Sequence, residues 1–245
     1  SKVDKIPEIP RIIRYEDVKE EEITLSNVPI GYIKATVEIA KYDFKQNQGT
    51  FILSNKLLNT KIFVKSLIKE LLLIKNSKII IFDYLKQLEF EQTQLPQYYY
   101  TENIETTLKG ITEYIESLQN KNINEEGIIL FNGIDKLIGN INDKKIIESF
   151  FKTIKLYEKY KVIIVEEINK IKSYISEQWY KDLFSKNDGV WVGKGIGDQT
   201  VIKLSTFKRY LSENYKNNYG FMVVDSEEML CQLIDFETKE DDLNE

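Results

Sequence analysis

The sequence predicts an α/β domain with a mainly parallel central sheet and an antiparallel flank near its C-terminus. Four short apolar runs, at 50–53, 78–83, 128–131 and 162–165, alternate with segments of helical spacing, as strands buried on both faces do. The last hundred residues shift to strand-like runs with short connections. At 245 residues and 42% hydrophobic content, the chain can bury one large core.

Taken in order, residues 1–30 carry Pro7, Pro10 and Pro29 among many charges, so an extended lead-in is expected. Residues 36–44 alternate in part and suit a half-buried strand. The run 50–53 follows, then a turn, then Phe63, Val64, Leu67, Ile68, Leu71 and Leu72 at helical spacing. A second strand, 78–83, comes next. After a polar and aromatic loop at 92–100, Ile104, Leu108, Ile111, Ile115 and Leu118 trace one helical face, with Asn103 placed to cap it. Strand 128–131, helix 142–159, strand 162–165 and helix 176–184 complete the alternation. The remainder reads as strands 190–192 and 200–204, a helix at 205–215, and strands 221–224 and 230–234. The expected division is lead-in 1–30, one domain over 31–236, and an acidic tail 237–245.

Composition removes several chemistries. With no histidine and a single cysteine, Cys231, the chain has no Ser-His-Asp or Cys-His nucleophile, no His-metal centre and no internal disulfide; no metal site is expected. The net charge of −5 and scattered lysines argue against nucleic acid as a partner, since phosphate-backbone binding needs a cationic excess. No run of 18 apolar residues occurs. Because the first residue is serine and the first methionine is Met222, a piece of a longer protein is expected, with a membrane anchor allowed in the remainder.

The turn Ser54 to Thr60 between the 50–53 strand and its helix is where an α/β fold usually holds nucleotide phosphates. A working phosphate loop reads G-x-x-x-x-G-K-[ST]. Aligned on the lysine, this chain reads Asn55-x-x-x-x-Thr60-Lys61-Ile62. Only the lysine matches. β-Branched Thr60 tolerates positive φ poorly, and Ile62 offers Mg²⁺ no oxygen. Shifting the frame to begin at Ser54 places Asn59 at the second glycine and loses the lysine too. The second requirement is a strand-end carboxylate that orders Mg²⁺, with an adjacent glutamate. Asp83 ends one strand but is followed by Tyr84; the later strand ends in Asn132-Gly133.

Val28-Pro29-Ile30-Gly31, Phe82-Asp83-Tyr84-Leu85-Lys86, Asp188-Gly189-Val190-Trp191-Val192-Gly193 and Tyr219-Gly220-Phe221-Met222 together resemble the last ATPase-like module of EssC/EccC proteins, the FtsK/SpoIIIE-type motors of type VII secretion. The resemblance runs over about residues 25 to 236. It implies a RecA-like P-loop NTPase fold and a cytoplasmic domain of a membrane-anchored protein. The implied partners are small helical WXG-type secreted substrates, adjacent ATPase modules of the same polypeptide and a ring-type homo-oligomer of the full-length protein. It implies, with both nucleotide motifs degenerate, a catalytically silent unit for substrate recognition or regulation. The alternative is a divergent ATPase in which Lys61 and Asp83 still hold Mg-ATP and a neighbouring subunit supplies the hydrolytic groups; no resident cofactor is otherwise expected.

Each remaining candidate also has a plainer structural reading. Lys61 is an ordinary first-turn lysine unless phosphate reaches it, and Asp83 a backbone acceptor unless a metal does. The segment from Gly193 to Gly197 lacks the strand-to-helix context of a phosphate loop and reads as a turn between strands. Asp198 and Gln199 beside it, with Arg209, are the candidates for an inter-subunit edge, and Arg209 and the pair Arg11/Arg14 are the candidates for an arginine finger. The tyrosines from 98 to 100 form either a peptide patch or a pinned loop.

Overall fold

The computed structural model describes residues 8–90, 98–99, 103–239 and 242. Ten strands form one sheet: β1 (Val28–Ile33), β2 (Ile39–Tyr42), β3 (Gly49–Ser54), β4 (Ser77–Phe82), β5 (Tyr98–Tyr99), β6 (Glu126–Asn132), β7 (Tyr160–Glu167), β8 (Gly189–Val192), β9 (Tyr219–Val224) and β10 (Glu227–Leu233). Their lateral order is β2-β1-β10-β9-β8-β3-β7-β6-β4-β5. From β8 to β5 every pairing is parallel. From β8 to β2 every pairing is antiparallel. Numbered among themselves in chain order, the five main parallel strands lie 5-1-4-3-2, so β3 sits between β8 and β7.

The parallel strands lie inside because both their faces are apolar. All six residues of β3 are buried. Phe51 and Leu53 face one core with Ile129, Phe131, Val162 and Ile164; Ile52 faces the other with Ile128, Leu130, Ile163 and Val165. The period of two thus divides each strand between two layers. Against the first face pack α3 (Ile104–Asn120), α5 (Lys144–Leu156) and α7 (Gln178–Leu183). Asp143 caps α5 by accepting the Lys145 N–H at 3.0 Å. Against the second face packs α2 (Lys61–Leu71), through Phe63, Val64, Leu67, Ile68 and Leu71. The helices α4 (Ile134–Gly139) and α6 (Ile168–Ile171) are short pieces at the C-terminal ends of β6 and β7.

Three expectations change. The residues read as an extended lead-in carry the short helix α1 (Tyr15–Val18), and they bury Ile13, Val18, Ile23, Leu25 and Val28 in the second core. β1 begins within them, so the antiparallel flank is built from both ends of the chain. Residues 200–204 form no strand, and the helix expected over 205–215 shrinks to a 3₁₀ turn, Arg209–Ser212. Side-chain bonds hold this region instead: Gln199 donates to the carbonyls of Ile196 and Ile202 and accepts the Ile202 N–H. The strand expected over 36–44 is four residues long, Ile39–Tyr42. Of the acidic tail, Glu237 is tied to α2 by Lys69 and, at 3.1 Å, by Lys65; most of the tail and the side chains of the 98–100 tyrosines lie outside the described residues. No described helix is long and apolar enough to cross a membrane.

Candidate functional site

In a parallel sheet of this order the C-terminal edge, where β3 and β7 send their connections apart, is the natural ligand crevice. Asn55, Asn59, Thr60, Lys61 and Ile62 gather there after β3, in a tight turn. Leu57–Thr60 is a 3₁₀ turn running directly into α2. The Asn59 N–H donates to the Lys56 carbonyl at 3.0 Å, and the Lys61 N–H donates to that of Leu58. A phosphate nest needs consecutive N–H groups turned into one concavity, which alternating right- and left-handed residues provide. No residue from 54 to 61 has a positive φ.

Side chains lock the turn shut. Thr60 Oγ1 donates to the Leu57 carbonyl at 2.7 Å, Ser54 Oγ donates to the Val192 carbonyl at 2.8 Å, and Asn59 Nδ2 reaches Ser54 Oγ at 3.3 Å. Asn55 Nδ2 donates to the Lys194 carbonyl at 3.0 Å. This contact brings the segment after β8 against the turn: Gly195 has φ +99°, and a Cβ there would lie 2.4 Å from Asn55 Nδ2. Leu57 turns inward and Leu58 outward, the latter 64% exposed beside Ile62 at 44%.

Lys61, the one retained nucleotide residue, pairs with Glu89 at 2.8 Å. The lysine's hydrogen bond and charge hold the Glu89 carboxyl below its ordinary value. Asp83 is fully buried. Its Oδ2 accepts the Leu88 N–H at 2.7 Å, while Oδ1 accepts the Gln87 N–H at 3.2 Å and Asn132 Nδ2 at 2.9 Å. The two strand-end candidates are therefore brought together and bonded to each other. Gly133 follows with φ +81°, and a Cβ on it would lie 3.2 Å from Leu57 Cδ2 and 3.6 Å from Leu85 Cδ1. Those two leucines roof the end of β6.

Sequence reasoning overlooked Glu166 and Glu167, which close β7 beside Leu53 and Ser54 of β3. Glu166 is buried and accepts the N–H groups of Asp135 at 2.9 Å and Glu167 at 2.8 Å. Burial raises its carboxyl above the usual range against these bonds. Asp135 takes the Tyr174 hydroxyl at 2.9 Å. The Glu-Glu pair directly after the apolar run 162–165 was the available sign.

Among the remaining candidates, Gln199 bonds within its own loop, to the Ile196 and Ile202 backbone. Asp198 and Arg209 are exposed on the β8–β9 connection, at the two 3₁₀ turns Ile196–Asp198 and Arg209–Ser212.

Strand order and the strand-turn-helix unit at β3 define an α/β domain of the P-loop NTPase fold, RecA-like in arrangement. Solved structures agree. The chain superposes on EssC (ATPases 2 and 3) from Geobacillus thermodenitrificans with a TM-score of 0.74 at 14% identity, over 95% of this chain and 46% of that one. On Thermomonospora curvata EccC (ATPases 2 and 3) in complex with a signal sequence peptide the TM-score is 0.72 at 12% identity, over 94% and 44%. On the cytoplasmic domain of the T. curvata type VII secretion ATPase EccC it is 0.72 at 13%, over 94% and 28%. The chain thus spans less than half the length of these relatives. No protein-family model matches the sequence, and no curated protein matches it.

Proposed function

We propose that this chain is a catalytically silent ATPase-fold module of a type VII secretion motor, serving to recognise secreted substrates, to regulate neighbouring ATPase modules, or both. One observation carries the silence: the phosphate turn is a closed 3₁₀ turn in which the Asn59 and Lys61 N–H groups bond to the turn's own carbonyls, with no positive-φ residue from 54 to 61. The motor and the substrate class rest on the likeness to EssC and EccC, one of which was solved with a signal sequence peptide. On this reading the partners are WXG-type helical secreted proteins, adjacent modules of the same polypeptide and a ring-type homo-oligomer of the full-length protein, but not nucleic acid. The domain works at the cytoplasmic face of the membrane in a membrane-anchored protein.

The alternative, a divergent ATPase, keeps one supporting observation: Lys61 heads α2 on the same edge of the sheet as Asp83. Thermal unfolding with and without millimolar Mg-ATP separates the two. A ligand at one hundred times its Kd adds about 2.7 kcal/mol of stability, so an unshifted midpoint is expected. A clear upward shift, or turnover by the purified chain, overturns the silent reading.

A further inference from the structure

The antiparallel flank holds a concavity well away from the phosphate turn, since β10, β9 and β8 lie between β1 and β3. An open cavity of about 690 Å³ is lined there by the lead-in, the turn after β1, the approach to β9 and Gln232 of β10, a volume within the roughly 300–1,000 Å³ of small-molecule sites. Its cations are Lys34, Lys216 and Arg11, and its one carboxylate among the described residues is that of exposed Glu8. Neither Lys34 nor Lys216 has a carboxylate within ion-pair distance among the described residues, whereas nine other lysines do. In a chain of net charge −5 this is a local excess of positive charge. Glu38 and Glu213 are the other acids of the lining segments; neither lines the cavity, and Glu213 engages Tyr215.

Each wall is fixed by hydrogen bonds. Gln232, 4% exposed, donates through Nε2 to the carbonyls of Pro10 at 2.7 Å and Arg11 at 2.9 Å, which anchors the lead-in against β10. The Lys34 N–H donates to the Leu230 carbonyl at 2.9 Å, and the Tyr219 N–H to the Lys216 carbonyl at 3.0 Å. Lys34 Nζ lies 5.3 Å from the centre of the Tyr219 ring, a cation–π contact that holds the ammonium beside the approach to β9. Val37, also in the lining, has φ +60°, an outlier for a β-branched residue. Strain of this kind persists only where its surroundings hold it, and it collects at ligand sites.

We propose that this cavity binds a small phosphorylated organic molecule, its phosphate held by Lys34 and Lys216 and its organic part lying against Tyr219, Pro10 and Val37. A phosphomonoester carries about −1.5 to −2 charges near pH 7, which two ammoniums match, and lysine holds phosphate as a point charge. Asn218, which also lines the cavity, supplies a neutral amide for a remaining oxygen. The apolar part of the lining favours an ester over the bare ion. The inference is independent of the proposed function, because a silent and an active ATPase fold would carry the cavity equally.

Calorimetric titration of the full chain with phenyl phosphate tests it. A Kd of about 1 mM or tighter is expected at low ionic strength, with inorganic phosphate about threefold weaker. Lys34→Gln combined with Lys216→Gln is expected to weaken phenyl phosphate binding by about tenfold. No binding at about 10 mM ligand, or a double variant that binds like wild type, overturns the proposal. So does loss of binding in Lys61→Gln, which would put the anion at the phosphate turn instead. Vesicles of phosphatidylcholine with and without phosphatidic acid form a second arm: no difference in co-sedimentation is expected, and a chain that binds phosphatidic acid vesicles but not phenyl phosphate overturns the proposal in favour of a membrane headgroup. Urea midpoints establish that the variants fold. If the double variant does not, Lys216→Gln alone replaces it and is expected to weaken binding by about threefold.

Discussion

Glu70 supplies the sharpest test of the structure. It lies on α2 with no exposed surface, and neither carboxylate oxygen has a hydrogen-bond partner. Burial raises its carboxyl from the ordinary 4.5 to about 7, a penalty on the ionised form of about 3 kcal/mol. The sign follows from linkage. Below the unfolded value both states are protonated and no penalty exists. As pH rises from 4.5 towards 7 the unfolded chain ionises first, so native stability falls, and above 7 the full penalty remains. Glu70→Met removes the charge and keeps an unbranched side chain. Urea unfolding of both proteins at matched pH between about 4.5 and 8 then gives a difference from which all other titrations cancel. The variant's advantage is expected to grow by about 3 kcal/mol over that interval and to level off above it. A difference that stays constant with pH refutes the reasoning, because it means that the carboxylate is solvated or paired in solution.

Three other predictions concern buried positions. Asn132→Asp sets a second carboxylate where the amide now lies 2.9 Å from Asp83. Two like charges there raise the pair's affinity for a proton, so the variant is expected to lose about 2 kcal/mol at neutral pH and to recover on acidification, read by urea midpoints at the two pH values. Gly133→Ala forces a side chain onto a residue at φ +81° and against Leu57; a loss of about 1–2 kcal/mol is expected in chemical denaturation. Cys231 is fully buried, with its thiol pushed up to about 12 by desolvation. Its reaction with a thiol reagent is expected to follow unfolding, accelerating with urea in step with loss of circular dichroism; rapid labelling in native buffer refutes this.

The parallel half of the fold was legible because its strands are buried on both sides. Runs such as Ile128 to Phe131 leave no polar face, and the helices between them keep an uninterrupted apolar stripe. The antiparallel half was less so. β1 contains Pro29 and Gly31, whose local preferences read as a turn, and its place in the sheet is decided by β10, two hundred residues away. The 200–215 region misled because Val201 and Ile202 are buried without regular backbone and Leu211 within only a short 3₁₀ turn. The departure from the phosphate-loop pattern was visible in Thr60 and Ile62, but the 3₁₀ turn that follows β3 was not, since that depends on side-chain bonds to Val192 and Lys194 from another strand's end. Glu166 was hidden by the reverse problem: its chemistry was plain, but its position next to β3 follows from strand order.

The two ends of the described chain are fastened to each other and to one helix. Ile13 bridges Ile234, the Asp235 N–H donates to the Ile13 carbonyl at 2.9 Å, Tyr15 meets Phe236 edge-on, and the Phe236 N–H reaches Ser66 of α2 at 2.8 Å. Drawing the two ends apart would therefore have to break this junction, and with it the hold of the C-terminal segment on α2.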